Sequence, residues 1–213
     1  MSDALRHLCR VDPVMAQLIE RAGPYAPRPE RGVGAYEALV QAVAHQQLTA
    51  RAANTILGRF VALYGNGRIP EPTLLVATPD GKLRGAGFSR AKVAALKDIA
   101  ARALDGTIPT RRAIARMKDA AIIERLVEVR GVGRWTVEMF LMFTLARPDV
   151  LPLDDYGIRN GFRIAYRKRS LPKQKALLKF GERWAPYRTT ASWYLWRAVD
   201  LHRGAIEGSS APK

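Results

Sequence analysis

Along most of the chain, apolar residues return every three or four positions, the period of a helix with one buried face. From Tyr36 onward, Leu39, Val43, Leu48 and Ala52 trace one such stripe, and Ile56, Phe60 and Leu63 continue it. The polar triplet His45-Gln46-Gln47 interrupts the stripe, which predicts two helices joined by a turn rather than one rod. Ahead of them, Pro13, Pro24, Pro27 and Pro29 surround a short amphipathic stretch, VMAQLIERA, and Tyr25–Gly34 reads as a loop into the main body. Asn66-Gly67 is a turn signal, and Pro72 and Pro79-Asp80-Gly81 bracket a brief helix. In LRGAGFSRAKVAALKDIARAL, Gly85-Ala86-Gly87 turns the chain and Ser89 is placed to cap a helix. The apolar face of that helix is Val93, Leu96, Ile99, Ala100 and Leu104. Helical spacing returns over 119–129, 135–145, 156–166, 173–184 and 190–203, and GSSAPK at 208–213 reads as a frayed end. No stretch alternates as a half-buried strand would. The pattern predicts an all-α fold of about ten short helices with short connections.

Between two of these helices, EVRGVGRWTVEMF (128–140) ends one, turns through Gly131-Val132-Gly133 and begins the next. A Gly-x-Gly there is often only a tight turn, because glycine accepts positive φ at a helix end. Charge changes the picture. The chain carries 35 basic and 19 acidic residues, 35 − 19 = +16, with a pI of about 10.6. The excess is spread along the sequence rather than confined to a tail, so the folded body itself would attract a polyanion. Successive N–H groups of the turn make an anion-binding nest, and Arg134 adds a mobile positive charge. Such a hairpin approaches a phosphodiester backbone closely and binds it without reading sequence. Its carbonyls, those of Val127, Val129 and Val132, face a candidate site for a monovalent cation.

Cys9 is the only cysteine among 213 residues, which removes internal disulfides, cysteine-rich zinc sites and iron–sulfur clusters and fits a reducing compartment. His45 has no second ligand at metal-binding spacing. The charged start, MSDALRHLCRVDP, is unlike a secretory signal. The longest apolar stretch, Met139 to Ala146, is broken by Thr144 and is too short for a bilayer.

VEVRGVGRWTVEMFLMF followed by PDVLPLDDYGIRNGF resembles the helix-hairpin-helix, Gly/Pro-rich loop and aspartate signature of the DNA glycosylase superfamily. The nearest likeness is to 3-methyladenine DNA glycosylase II, in a compact form without that family's extra N-terminal domain. AHQQLTARAA (44–53) and ERWAPYRTTASWYLW (182–196) resemble further blocks of the same family, so the likeness spans about Tyr36 to Arg203. It implies two helical subdomains with the hairpin at the mouth of an intervening cleft. Both chain ends, 1–35 and 151–213, would share one subdomain, and 36–150 would form the other.

The resemblance also assigns roles. Asp154-Asp155 opens a helix after an apolar approach, VLPLDDYG, and capping accounts for one carboxylate; the residues alone do not choose between the two. By resemblance the catalytic one is Asp155, able to stabilise the oxocarbenium-like sugar or orient water, and Asp154 is structural. Strand-cleaving relatives carry a lysine just after the hairpin, where this chain has Trp135. Tryptophan has no amine to form a Schiff base, so hydrolysis to an abasic site is implied. A buried base must be flipped out first. Trp135, Met139 and Trp196 fall on base-pocket positions, Met139 standing where relatives have a tyrosine, and the two indole faces would attract a cationic alkylated purine. Gln47 falls on the wedge position that fills the gap, with Gln46 beside it. Gly131, Gly133 and Arg134 would hold the DNA backbone. Trp184 is assigned to the core.

The function implied is a monofunctional glycosylase for alkylated purines such as 3-methyladenine. It would act as a monomer on damaged double-stranded DNA, in the cytoplasm at the nucleoid, with no required cofactor beyond a structural Na⁺ or K⁺. Two rivals stand beside it: a glycosylase for deaminated or cyclic-adduct purines, and a non-catalytic DNA-binding module. Against the second, a pure clamp gains nothing from a carboxylate near phosphates.

Overall fold

Residues 1–27, 32–65 and 67–204 are described in the computed structural model of the chain. Expectations resting on Pro29, Asn66 and the 208–213 tail lie outside the described residues. In chain order the described helices are α1 (Asp3–Val11), α2 (Pro13–Ala22), α3 (Ala35–His45), α4 (Ala50–Ala62), α5 (Pro72–Ala77), α6 (Asp80–Ala86) and α7 (Arg90–Leu104). They continue as α8 (Arg111–Ile114), α9 (Asp119–Leu126), α10 (Arg134–Met139), α11 (Tyr156–Ala165), α12 (Gln174–Gly181) and α13 (Arg188–His202). No strand occurs among the described residues. The chain divides into two helical units, one of residues 1–29 with 141–213 and one of 30–140.

In the unit made by the chain ends, the cap of α2 doubles as a core anchor. Pro13 stands in the first turn, where a missing N–H costs nothing, and Asp12 Oδ1 accepts from Val14 N and Met15 N at 3.1 Å each. Oδ2 of the same buried carboxylate accepts from Tyr166 Oη at 2.6 Å and Trp184 Nε1 at 2.9 Å. Four donors offset the desolvation of one charge. Burial pushes the Tyr166 phenol well above its ordinary pKa, and its bond to Asp12 pushes the same way. Around this anchor pack Leu8, Met15, Leu18, Ile158, Phe162, Leu177, Tyr194, Leu195 and Trp184, the last fully buried. Helices α11 and α13 cross at Gly161, where a Cβ would lie 1.9 Å from the Leu195 carbonyl oxygen. Only glycine fits there.

The segment 147–150 belongs with this unit, so the changeover comes at 140/141. Thr189 Oγ1 donates to Arg147 O at 2.6 Å and accepts from Val150 N at 3.0 Å, and Ser192 Oγ donates to Val150 O at 3.2 Å. Arg188 grips Asp149 with Nε and Nη2 at 2.6 and 2.7 Å. That contact holds the Asp149 carboxyl below the usual carboxylate range. Together these bonds lace the loop leading to Asp155 onto the first turns of α13.

In the second unit α7 is central and packs against α3 and α5. Ser89 caps it by accepting from Lys92 N at 3.3 Å, as its position predicts. Leu39, Val43, Phe60, Leu75, Leu83, Leu96 and Ile99 are fully buried here. Three local expectations change. The brief helix bracketed by Pro72 and Pro79-Asp80-Gly81 is α5, but in α6 Gly85 lies inside the helix and Gly87 alone takes the left-handed turn, at φ +115°. Helix α9 stops at Leu126, three residues short of 129. The helix expected over 135–145 is α-helical only to Met139 and then widens into a π-helical turn, Phe140–Thr144. Phe140, Leu141 and Met142 are buried in succession, and a wider turn brings consecutive side chains closer to one face than an α-helix does.

Candidate functional site

Asp155 is the N-cap of α11. Its Oδ1 accepts from Ile158 N at 2.7 Å and from Trp196 Nε1 at 2.9 Å. The second bond depends on close approach of α13, which Gly157 permits: a Cβ there would lie 2.8 Å from Trp196 Cδ1 and 3.0 Å from Asp155 Oδ1. The Trp196 ring stacks on Phe143 with centroids 6.0 Å apart and planes 26° apart. The half-buried carboxylate thus stands at the edge of a stacked aromatic pair. The two aspartates are held differently. Asp155 itself caps the helix, while Asp154 is exposed and accepts from Gln174 Nε2.

In the unit of 30–140, the turn between α9 and α10 also departs from symmetry. Gly131 has φ +78°, and a Cβ on it would meet Ala95 Cβ at 2.9 Å. Gly133 is the N-cap of α10 at φ −90°, with nothing within 4 Å of a Cβ position. The fold therefore requires glycine at 131 and has no such requirement at 133. Arg134 is exposed, but it is not the mobile charge expected from sequence. Its Nε donates to Glu138 Oε1 at 3.0 Å, and the Glu138 side chain is only 4% exposed. Trp135 is half exposed, and Met139 lies one turn on along the same face of α10. Val129 O accepts from Val132 N at 3.0 Å, which occupies one of its two lone pairs. Gln47 is exposed at the tip of the α3–α4 turn with φ +56°, an uncommon conformation for a residue with a Cβ.

Each unit thus holds its own part of the set. Asp155, Trp196 and Asp154 lie in the unit of the chain ends, while Gln47, Gly131, Gly133, Arg134, Trp135 and Met139 lie in the other. Phe143 and the Gly157/Gly161 pair were missed by pattern reading. The pair's spacing of four in YGIRNGF was the available signal, since it puts two small residues on one helix face.

The model of the HhH-GPD superfamily of base excision DNA repair proteins matches residues 40–186. The chain belongs to that superfamily. Of the expected site residues, all lie within the matched span except Trp196. Among HhH-GPD-like relatives, DNA-3-methyladenine glycosylase 1 of Schizosaccharomyces pombe is 42% identical over 196 residues, covering 92% of this chain and 86% of its own. The solved structure of a 3-methyladenine DNA glycosylase of S. pombe with abasic DNA superposes with a TM-score of 0.82 at 41% identity, covering 92% of this chain and 96% of that one. A DNA-3-methyladenine glycosidase from Bacillus halodurans gives 0.87 at 32% identity, over 95% and 92% of the two chains.

Proposed function

We propose that the protein is a monofunctional DNA glycosylase that flips an alkylated purine such as 3-methyladenine out of duplex DNA and hydrolyses its N-glycosidic bond. The observation that carries this reading is the Asp155 carboxylate, aimed through Oδ1 by two N–H donors beside the Trp196–Phe143 stack. As the bond to an alkylated purine lengthens, positive charge moves from base to sugar. A fixed carboxylate stabilises that oxocarbenium character and orients the attacking water. The base arrives already cationic, so it leaves readily and is attracted to an indole face such as that of Trp196. Trp135 supplies no amine, so the base leaves and the abasic sugar stays in an uncut strand.

The remaining roles follow residue by residue. Trp135 and Met139 contact the extruded base, Gln47 fills the vacated stack, and the N–H groups at Gly131 and Gly133 hold phosphate with Arg134 beside them. Val127, Val129 and Val132 offer only neutral carbonyl oxygens, one with a lone pair already taken, a donor set that fits Na⁺ or K⁺ rather than a transition metal. Such an ion, held by these carbonyls, would add positive charge to the hairpin's DNA-facing side.

Incubation of the protein with methylated duplex DNA, followed by chromatography of the released bases, tests the reading. The expected products are free methylpurines and strands that break only on heating or alkali, with no adduct trapped by borohydride. Absence of base release defeats the glycosylase, and a trapped adduct defeats the monofunctional assignment.

A further inference from the structure

One face of α7 joins the Gln47 turn to the hairpin. Lys92, Ala95 and Asp98 lie three residues apart on it, in the register that stacks side chains along a helix. At one end Lys92 Nζ donates to Ala44 O at 2.9 Å and Gln46 O at 2.8 Å, closing the carbonyl end of α3 just before Gln47. In the middle, Ala95 sits under Gly131 so closely that a Cβ there would be 2.9 Å away. At the other end Asp98 Oδ2 accepts from Arg130 N at 2.8 Å. A direct strut completes the frame, with Gln46 Nε2 donating to Gly131 O at 2.9 Å across 85 residues of sequence. His45 braces the base of the turn through Gln41 O at 2.9 Å and Asn54 Oδ1 at 3.1 Å.

What this frame holds is strained. Gln47 stands at φ +56°, and a left-handed residue with a side chain persists where its surroundings over-determine it. The residues on either side are pinned: Gln46 through both its carbonyl and its side chain, Leu48 by its N–H to His45 O at 3.3 Å.

We propose that Lys92 and Gln46 are positioning residues that lock the Gln47 turn to the Gly131 hairpin, so that insertion into the base stack and capture of the backbone are carried out by one rigid element. This rests on the glycosylase reading above and names the residues that make its wedge work. Without the lock, the turn still tops a folded unit, but Gln47 spends less time projecting at the height the hairpin defines. Flipping a well-paired base then suffers, while binding of the backbone does not.

The test uses Gln46→Leu, which keeps size and removes only the strut, and Lys92→Met, which keeps the stem and removes the ammonium. Base release is measured on a lesion in a matched duplex and on the same lesion in an unpaired bulge, beside binding of undamaged duplex. The expected result is a loss of about tenfold on the paired lesion for each variant, the scale of one lost charge-assisted or strained hydrogen bond. Release from the bulge and binding of undamaged duplex should stay within about twofold of wild type, on the same scale. Equal losses on paired and bulged substrates, or no loss on either, would overturn the proposal. Hydrogen exchange separates this failure from failure of the glycosylase reading, because it needs no turnover. Either variant should speed exchange in 44–50 and 129–135 together, even if the wild type released no base. Faster exchange confined to 44–50 also overturns the lock.

Discussion

At Asp155, the cap of α11 and the hydrogen bond from Trp196 converge on the same oxygen, so the indole helps to aim the carboxylate as well as offering a ring face. Trp196→Phe keeps most of the face and deletes the donor. It should slow base release by about tenfold while leaving affinity for undamaged duplex unchanged. Single-turnover kinetics beside a binding titration would show it, and a loss of equal size in both would deny the aiming role. Asp154, exposed and accepting from an exposed glutamine, invites a different result. Asp154→Asn should leave stability within about 0.5 kcal/mol of wild type and release unchanged. Arg134 illustrates what residue type alone conceals. Beside a glycine hairpin in a chain of net charge +16 it reads as a DNA contact, yet it also neutralises the buried Glu138. Arg134→Ala should therefore lower Tm as well as flattening the salt dependence of DNA binding by up to about one log–log unit.

At the scale of elements, the two hairpin glycines separate structure from binding. Gly131 carries positive φ and touches Ala95, so Gly131→Ala should cost about 1–2 kcal/mol. Gly133 has ordinary φ and open space, so Gly133→Arg or Gly133→Leu should fold with Tm within about 2 °C of wild type. Gly133→Leu should nevertheless weaken binding to damaged and undamaged duplexes by similar factors, because bulk there meets phosphate. A folded Leu variant with normal duplex binding would remove the clamp. Gly161→Ala should be the most damaging of these changes, at about 3 kcal/mol or more, since its Cβ would enter the Leu195 backbone. The hairpin, the Ser89 cap and the break at His45-Gln46-Gln47 were legible because each is a local signal. The π turn at Phe140–Thr144 was not, since apolar spacing reports a buried face and not the width of the turn that buries it. Helix α1 was hidden in a charged start that buries only Leu8. The Asp12 anchor and the Lys92 brace depend on partners 154 and 48 residues away, and no local pattern marks such pairs.

For the whole molecule, charge sets the conditions under which any of this is seen. No acidic residue occurs between Tyr156 and Gly181, a stretch with eight Lys and Arg. Binding of undamaged duplex should weaken steeply with salt, each phosphate contact adding about −0.9 to the log–log slope. Acid should loosen the unit of the chain ends through Asp149, whose folded pKa is depressed by Arg188. That contribution is present above the unfolded carboxylate value, about 3.9, and is lost as pH falls through the folded one. Asp149→Asn should therefore reduce stability at neutral pH and narrow the gap from wild type as the solution is acidified below about pH 4. The measurement that bears most directly on the central claim is single-turnover release of 3-methyladenine from a defined duplex by wild type and Asp155→Asn, with DNA affinity determined in parallel. The wild type should release base and the variant none above background, at equal or slightly higher affinity, because a negative charge near phosphates has been removed. A variant that binds and releases base at the wild-type rate would contradict that claim.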